Sequence, residues 1–412
     1  MTDVVVTGYG ATTPLGGDAA TTWENLLAGK SGVREITAEW VEKRGLPVKI
    51  ASQLAVDPTE VLPRVQARRM DRAEQVAVIA AREAWAHAGL AVEKGEEPKV
   101  DPVRVAVVVG TGIGGVTTLL DQDDLLETEG LRKVSPLVVP MLMPNGPAAL
   151  ISLEIGAQGG VHSPASACAT GAEAMAWAYR LLKAGEVDVV LAGGAEACIA
   201  PITVAGFVQA RTLSQRNDAP ELASRPFDTG RDGFVLGEGA GILILERSEF
   251  AEARGATVHG RLAGIGLTSD AYHITGPDPE GTGQARAMLA AVRTAGLEPS
   301  DVGHVNCHAT STVVGDVGEA RAIKKALGDH PVLTAPKGAL GHLVGGAGAV
   351  EGLITLLSVR DGIIPATLNL EEQDPGVELE VVAGEPRKME LTAAVNNSFG
   401  FGGHNASLLF TK

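Results

Sequence analysis

The sequence GGVHSPASACATG, residues 159–171, places a lone cysteine, Cys168, between a short extended run and an alanine-rich helical pattern that continues to about residue 184. A thiol at the start of a helix lies near the positive end of the helix dipole and near free backbone N–H groups. This placement favours the thiolate, the nucleophilic form of cysteine. The alternative is a buried structural cysteine. Because small neighbours leave room for an acyl group, the stretch favours a nucleophile.

Around this stretch, apolar runs that end in glycine-rich turns alternate with helical patterns. The strand-like runs are residues 4–6, 104–109, 187–191, 241–245, 303–307 and 393–397. The helical patterns cover residues 71–88, 170–184, 283–295, 317–327 and 347–361. Nearly continuous apolar strands are typical of a sheet covered on both faces, with parallel strands and crossover helices. The pattern therefore predicts an α/β fold.

The two halves of the chain repeat one order of elements. In each half a strand leads to a reactive residue at a helix start, Cys168 or His342, and then to a strand that ends in a glycine turn. Because the spacings differ, the repeat is structural rather than literal. We place the joint near Arg254, which predicts halves of residues 1–254 and 255–412 with a pocket between them. Residues 119–150, with four prolines, predict an irregular cap on the first half.

The composition excludes several classes of protein. With 412 residues, 45% of them hydrophobic, the chain can bury a large core, and its net charge of −16 disfavours nucleic acid and anionic membranes as partners. Three cysteines, an odd and sparse set, favour a reducing cytoplasm over a disulfide framework, and none of their spacings resembles a zinc site. We expect no signal peptide and no membrane span, because the long apolar runs they need are missing.

His308 is the first of two histidines that lie in turns of the second half. It follows the apolar run 303–307 and so marks the end of a strand, where binding sites of α/β proteins form. A satisfied core histidine is the alternative. Thr310 and Thr312 favour a site, because their alternate hydroxyls are suited to line a channel for a polar thread.

His342 is the second of these histidines and ends the run GALGH. Lys337 precedes it by five residues and Glu351 follows it by nine. An ordinary surface ion pair is one interpretation, and a buried pair that orients the imidazole is the other. One cysteine together with two histidines suggests covalent thioester chemistry.

Two glycine-rich stretches complete the candidate site. The run NSFGFGGHN, residues 397–405, predicts a loop whose backbone N–H groups bind an oxyanion while Phe399 and Phe401 close a pocket. The run GTGIGG, residues 110–115, matches a dinucleotide signature formally, but the acidic residues that follow come too early for that role. A tight turn whose Ile113 borders an apolar pocket is the favoured interpretation.

Basic residues form small clusters on this acidic chain. Residues 64–72 contain four arginines, among them Arg68 and Arg69, and Arg132 with Lys133 forms a second cluster. A solvated charged face is the usual explanation of such clusters. Against an acidic background, they are also suited to steer an acidic partner protein.

Together these stretches resemble the β-ketoacyl-acyl carrier protein synthases of the thiolase superfamily. The resemblance extends from residue 4 to residue 408 and rests on four motifs: SACATG around Cys168, HATST at His308, GALGH at His342 and NSFGFGGHN near the end. It implies a thiolase-like, five-layered αβαβα fold of two similar halves, and a homodimer. It also implies a cytoplasmic enzyme of fatty acid elongation, which joins an acyl group to malonyl-acyl carrier protein with loss of carbon dioxide. This reaction would need neither a metal nor a cofactor.

The resemblance also implies roles for single residues. Cys168 would carry the acyl group, and the backbone N–H groups of Cys168 and Phe401 would form the oxyanion hole. His308 and His342 would bind the malonyl thioester oxygen. Lys337 and Glu351 would support the histidines, and Thr310 and Thr312 would contact the phosphopantetheine arm. Phe399 and Phe401 would gate the pocket, and Ile113 would shape its acyl end. The acidic carrier protein, in its acyl and malonyl forms, would dock on four basic residues: Arg68, Arg69, Arg132 and Lys133.

Three other functions stay open beside the elongating synthase. A condensing subunit of an aromatic polyketide synthase would need a different partner chain. A chain-length-determining partner without condensing activity typically lacks the cysteine that is intact here at position 168. A biosynthetic thiolase would need a second catalytic cysteine near the C-terminus, but the last cysteine is Cys307. Ala309, Ser166 and the stretch 335–340 depart from the family's commonest residues without removing a catalytic group, and they loosen any assignment of substrate preference.

Overall fold

A computed structural model describes residues 2–93 and 95–412. The strands are β1 (Val4–Thr12), β2 (Val33–Glu35), β3 (Ile50–Ser52), β4 (Val105–Gly110), β5 (Val161–His162), β6 (Val189–Glu196), β7 (Gly239–Arg247), β8 (Gly260–Ser269), β9 (Val302–Asn306), β10 (Val332–Thr334), β11 (Ile363–Ile364), β12 (Arg387–Lys388), β13 (Ala393–Gly400) and β14 (His404–Thr411). The helices are α1 (Ala19–Leu27), α2 (Trp40–Arg44), α3 (Pro58–Val61), α4 (Arg64–Ala67), α5 (Arg72–His87), α6 (Val116–Glu129), α7 (Val138–Leu142), α8 (Gly146–Ile155), α9 (Thr170–Ala184), α10 (Pro201–Gln209), α11 (Ser248–Ala253), α12 (Thr282–Ala295), α13 (Val313–Leu327), α14 (Lys337–Leu340) and α15 (Ala347–Asp361).

Within the described residues, ten strands form one hydrogen-bonded sheet in the order β10-β9-β13-β14-β8-β1-β7-β6-β4-β5. This sheet consists of two groups of five strands with the same arrangement, one from each half of the chain. The groups join where β1 meets β8, and this junction has two residue pairs, Val5 with Arg261 and Val6 with Gly260. By contrast, β1 pairs with β7 along eight positions inside the first group.

Helices form three layers around the two groups of strands. Between the groups, α9 and α15 pack against each other and against strands of both halves, and their apolar side chains belong to one buried cluster. The outer face of the first group is covered by α5 and α8, and that of the second by α12 and α13. The order helix, sheet, helix, sheet, helix confirms the predicted five-layered α/β fold.

Most element ends follow local chemistry. Asp71 caps α5 by accepting the N–H of Ala73, and the side chain of Glu74 accepts the N–H of Asp71 in return. Left-handed glycines end α9 and α15, at Gly185 and Gly362. The predicted joint after residue 254 lies between α11 and β8, and the division of the chain into two units at that point remains a prediction.

The predicted irregular structure of residues 119–150 is wrong, because most of α6, all of α7 and half of α8 lie there. The prediction was based on the four prolines of this stretch, but their positions are compatible with helices. Pro140 and Pro147 lie in the first turns of α7 and α8, where a missing N–H costs no intrahelical hydrogen bond, and Pro136 and Pro144 lie between helices. In the described part of the chain, every helix is too short or too polar to cross a membrane.

Candidate active site

A cavity of about 220 Å³ opens where the two halves meet. Cys168 comes from the first half, and His308 and His342 come from the second. The Cys168 sulfur and one ring nitrogen of each histidine all lie within 4.8 Å of one another. The two imidazoles meet edge to face, with ring centroids 5.3 Å apart. Three side chains that are far apart in sequence therefore converge at one point of the cavity.

The Cys168 turn, residues 166–170, holds the sulfur at the start of α9. Ala167 has a φ of 50°, in the left-handed region that few residues other than glycine adopt. The hydroxyl of Thr170 stabilises this turn, because it donates to the Ala167 carbonyl at 2.7 Å and accepts the Ser166 N–H at 2.9 Å. A left-handed residue held from both sides is typical of functional sites.

The glycine loop, residues 400–404 between β13 and β14, lies directly against the Cys168 turn. A Cβ atom at Gly400 would be 2.5 Å from the carbonyl oxygen of Ser166, so only glycine permits this approach. The approach brings the N–H of Phe401 to the Cys168 sulfur, beside the N–H of Cys168 itself. Two backbone donors from opposite halves thus point to the place where charge develops when the sulfur attacks a carbonyl.

The resting state of the cysteine differs from the sequence-based expectation. Burial raises the pKa of the Cys168 thiol to about 12, although the charge of Lys337 and the N–H groups of Phe401 and Cys168 act in the opposite direction. Burial therefore outweighs the helix start, and the thiol is favoured over the expected thiolate. The helix dipole and the N–H groups are local features that the sequence reveals. The apolar surroundings of the sulfur come from both halves of the chain, and local sequence does not reveal them.

Both histidines are neutral. Burial lowers the pKa of His308 and of His342 well below the ordinary value, and the positive charge of Lys337 acts in the same direction. Among the described residues, neither ring nitrogen of His342 has a hydrogen-bond partner, and Nδ1 of His308 has none either. The imidazoles are thus free to donate to a substrate oxygen or to accept a proton.

Lys337 and Glu351 form a buried ion pair beside the histidines. Lys337 Nζ lies 2.5 Å from Glu351 Oε1, and their side chains are 1% and 2% exposed. The pair joins the first residue of α14 to the middle of α15, so the interpretation as an ordinary surface pair is excluded. Burial raises the pKa of Glu351 to about 7, against the attraction of Lys337.

Glu319, in α13, is a site residue that the sequence did not reveal. Its carboxylate accepts the backbone N–H groups of His308 and Ala309 at 2.8 and 2.7 Å, and the side-chain amide of Asn397 at 3.1 Å. Glu319 thereby fixes the loop that carries His308 and joins it to β13. A sequence signal existed, because Asp316 and Glu319 lie three residues apart on the buried face of one helix.

The predicted arm-binding and gating residues surround the mouth of the cavity. Thr310 and Thr312 line it, and their hydroxyl oxygens lie 3.1 Å apart. Phe399 and Phe401 line it as well, with Phe399 edge to face against His308 at 5.9 Å. Phe207, Phe234 and Val344 are among the further apolar lining residues that were not expected from the sequence.

The remaining predicted residues lie outside this cavity. Ile113 is 38% exposed and belongs to the turn after β4, not to the cavity wall. Arg68, Arg69, Arg132 and Lys133 are exposed, and Lys133 lies 3.4 Å from Glu129. Arg72, from the same basic cluster as Arg68, is different because it forms ion pairs with Glu238 and Asp57.

Comparisons with known proteins agree along the whole chain. Residues 1–251 match the beta-ketoacyl synthase N-terminal domain, and residues 259–371 match the beta-ketoacyl synthase C-terminal domain. The 3-oxoacyl-[acyl-carrier-protein] synthase 2 of Mycobacterium tuberculosis (strain ATCC 25618 / H37Rv) is 46% identical over 411 residues, which cover 99% of this chain and 97% of that protein. The protein of the same name from Staphylococcus aureus (strain COL) is 43% identical over 413 residues, covering 99% and 98%.

Solved structures of ketosynthases are similar to this chain over its whole length. A beta-ketoacyl synthase from Burkholderia phymatum STM815 superposes with a TM-score of 0.92 at 36% identity, covering 100% of both chains. A type II polyketide ketosynthase, solved in complex with its acyl carrier protein and bound to the hexaketide, superposes with a TM-score of 0.90 at 29% identity, covering 100% of this chain and 99% of that one.

Proposed function

This chain belongs to the β-ketoacyl synthase family, and on that premise we propose that it acts as a 3-oxoacyl-acyl carrier protein synthase of fatty acid elongation. The observation that carries the proposal is the convergence of the Cys168 sulfur with nitrogens of His308 and His342 within 4.8 Å. The reaction has two stages, acyl transfer to the cysteine and decarboxylative condensation with a malonyl group.

In the first stage, Cys168 Sγ attacks the thioester carbonyl of acyl-acyl carrier protein. The carbonyl oxygen becomes an oxyanion that accepts the N–H groups of Cys168 and Phe401. The neutral imidazole pair is the nearest base for the thiol proton, which finally protonates the departing phosphopantetheine sulfur. The C–S bond to the carrier breaks, and a thioester to Cys168 remains.

In the second stage, the malonyl carboxylate leaves as carbon dioxide, and its bonding electrons form an enolate on the thioester. The oxygen of this enolate accepts hydrogen bonds from His308 and His342, whose depressed pKa values keep them neutral. The enolate carbon attacks the acyl carbonyl on Cys168 and expels the sulfur, which takes up a proton. The product is a 3-oxoacyl group on the carrier protein, and each step uses only side chains and backbone of this chain.

The partner in both stages is an acyl carrier protein, in its acyl and malonyl forms. Such a carrier is acidic, and we assign its docking to the exposed basic residues Arg68, Arg69, Arg132 and Lys133. Its phosphopantetheine arm would pass Thr310 and Thr312 on the way to Cys168. The complex of a structural neighbour with its acyl carrier protein supports this partner.

The surface of the first half supports a homodimer. Strand β5 forms the end of the ten-stranded sheet, so its outer backbone edge is available for a second copy. Large apolar side chains are exposed in the same half: Leu131 (79%), Val139 (56%), Leu153 (79%), Val161 (42%) and Trp177 (44%). For its location we propose the cytoplasm, where the three free cysteines of the described chain stay reduced.

A polyketide condensing subunit is the second candidate. Paired ketosynthases with a chain-length factor occur among the structural neighbours, such as the ishigamide ketosynthase/chain length factor at 32% identity. The identities of 43% and 46% to the 3-oxoacyl synthases are higher and favour fatty acid elongation. A subunit of the polyketide type would be inactive alone and would need a different partner chain.

The test is to incubate the purified chain with a panel of acyl-acyl carrier proteins of differing chain length and to weigh the intact protein. We expect one acyl group per chain, on Cys168, and its loss on addition of malonyl-acyl carrier protein with formation of 3-oxoacyl product. Cys168→Ala should form no adduct, whereas Cys307→Ala, which changes a cysteine of the core, should behave as the unaltered protein. No adduct with any carrier would overturn the proposal.

A further inference from the structure

The proposed mechanism leaves one fully buried carboxylate of the site without a role. Glu196 is the last residue of β6 and is 0% exposed. Its oxygens accept the Thr111 hydroxyl at 2.7 Å and the backbone N–H groups of Gly112 at 2.9 Å, Ile113 at 3.2 Å and Gly345 at 3.2 Å. We call these four donors the Glu196 cradle.

The cradle explains the GTGIGG run that formally matches a dinucleotide signature. Strands β4 and β6 are parallel neighbours in which Gly110 pairs with Gly194, so the turn after β4 lies beside Glu196. Successive backbone N–H groups in such a turn bind anions. Here the bound anion is the protein's own carboxylate, so the turn is already occupied and has no need of a phosphate.

The cradle joins the two halves of the chain behind the nucleophile. Gly345 follows His342 by three residues and comes from the second half, whereas Gly112 comes from the first. A Cβ atom on Gly345 would lie 2.4 Å from the Gly112 nitrogen and 3.0 Å from Glu196 Oε2, so glycine alone allows this contact. On the other side, a Cβ atom on Gly112 would lie 3.4 Å from the carbonyl oxygen of Ala167, in the Cys168 turn.

Glu196 also acts on the cysteine through its charge. Its negative charge raises the pKa of the Cys168 thiol, and Lys337 lowers it. The other titratable groups near the sulfur in the described chain are His308 and His342, which are neutral, and Cys198, whose pKa burial raises well above its ordinary value. Glu319 lies farther away, behind the backbone of His308. Glu196 is therefore the nearby anion that opposes thiolate formation.

We propose that Glu196 is a positioning residue that holds the Gly112 turn and the Gly345 loop against the Cys168 turn, and that its carboxylate slows the reaction of the cysteine with electrophiles. A thiol is a poor nucleophile toward stray electrophiles. The proposal deepens the proposed function and rests on Cys168 as the nucleophile.

The test is the rate at which iodoacetamide alkylates Cys168 as a function of pH, followed by intact-protein mass. Glu196→Gln keeps the shape of the side chain and removes its charge. Burial raises the pKa of Glu196 to about 7, so the wild-type chain carries this charge mainly above that pH. We expect the Glu196→Gln variant to be alkylated at the wild-type rate at about pH 6 and roughly threefold faster at about pH 8.5. A threefold change in rate corresponds to a change of about half a unit in the pKa of the Cys168 thiol.

Glu83→Gln is the matched control. Glu83 also accepts two backbone N–H groups, those of Ala11 and Ala19, but it lies on the outer helix α5. Its variant should show the wild-type profile. Superposed profiles for Glu196→Gln and wild type, or an equal shift in Glu83→Gln, would overturn the proposal.

Thr111→Val provides an independent variant if Glu196→Gln does not fold. It removes one donor to the carboxylate, so the pKa of Glu196 rises and the charge appears at higher pH. The alkylation profile should then depart from wild type between about pH 7 and about pH 8, with the variant faster, and an unchanged profile would contradict the proposal. Alkylation needs no carrier protein, so failure of the proposed function, seen as absence of an acyl adduct, is distinguishable from failure of this inference.

Discussion

The ammonium group of Lys337 lies 2.5 Å from the carboxylate of Glu351, and both side chains are almost fully buried. Burial of two charges is costly, and the pair offsets this cost only while both partners are present. The pair therefore makes the surroundings of His342 dependent on a contact between α14 and α15.

We expect Glu351→Ala to lower the free energy of unfolding by about 3 kcal/mol, because it leaves the Lys337 charge buried without a partner. Urea unfolding followed by circular dichroism measures this loss. The exposed pair of Lys324 and Glu378, 2.7 Å apart, supplies the control, and Glu378→Ala should cost less than about 1 kcal/mol. Equal losses in the two variants would contradict the buried-pair argument.

His342→Ala should separate the two stages of the reaction. Acylation of Cys168 should stay within about twofold of wild type, whereas condensation should fall by about 100-fold or more, since one enolate donor is lost. Mass spectrometry of the acyl-enzyme and a product assay with malonyl-acyl carrier protein measure the stages separately. His330→Ala, at an exposed position, should change neither stage, and normal condensation by His342→Ala would remove His342 from the mechanism.

Glu319→Ala should release the loop that carries His308. Two buried N–H groups lose their acceptor, so we expect a loss of about 2 kcal/mol in unfolding free energy together with slower condensation. Glu319→Gln keeps one good acceptor and should be less affected in both measurements. If the alanine variant matched wild type in both stability and condensation rate, the backbone of His308 would not depend on Glu319.

Stability should fall in acid partly through His259. Burial, with the charges of His87 and Arg360, lowers the pKa of His259 to about 4 from an ordinary value near 6.5. The folded chain thus favours the neutral ring, and this contribution is present above about pH 6.5 and is lost as the pH falls toward 4. Because His259 is only partly buried, we expect a modest effect. When the pH falls from 6.5 to 4.5, the His259→Phe variant should lose about 1 kcal/mol less unfolding free energy than wild type, as measured from urea midpoints. Parallel pH curves for variant and wild type would refute this.

The sequence predicts the parts of the site that carry local signals. Cys168, His308 and His342 each lie at a helix start or a strand end beside small residues, and these patterns are visible within a few positions. The bounds of α15 agree with the predicted 347–361, because an apolar run ends there at the left-handed Gly362. The α/β class follows from the alternation of apolar runs and helical patterns, whereas the five layers were implied by the resemblance to the β-ketoacyl synthases.

Features set by contacts distant in sequence were not predictable in this way. Glu196 accepts hydrogen bonds from donors 83 to 149 residues away, and no pattern in the sequence predicts contacts between such distant positions. The thiol state of Cys168 depends on burial by segments from both halves, which outweighs the helix start that the sequence reveals. Ile113 was expected to shape the pocket, but its side chain is exposed outside the cavity, on a turn whose backbone is bound by Glu196.

The short junction between β1 and β8 determines how the two halves of the chain would separate. Two residue pairs contribute little to cohesion, so the apolar contacts of α9 and α15 hold the halves in register. Fragments cut in the linker between α11 and β8 should therefore reassemble through helix packing, and their complementation would report on that core rather than on strand pairing. A substitution in the α9–α15 contact would first disturb the alignment between the sulfur and the imidazoles, because α9 begins beside Cys168.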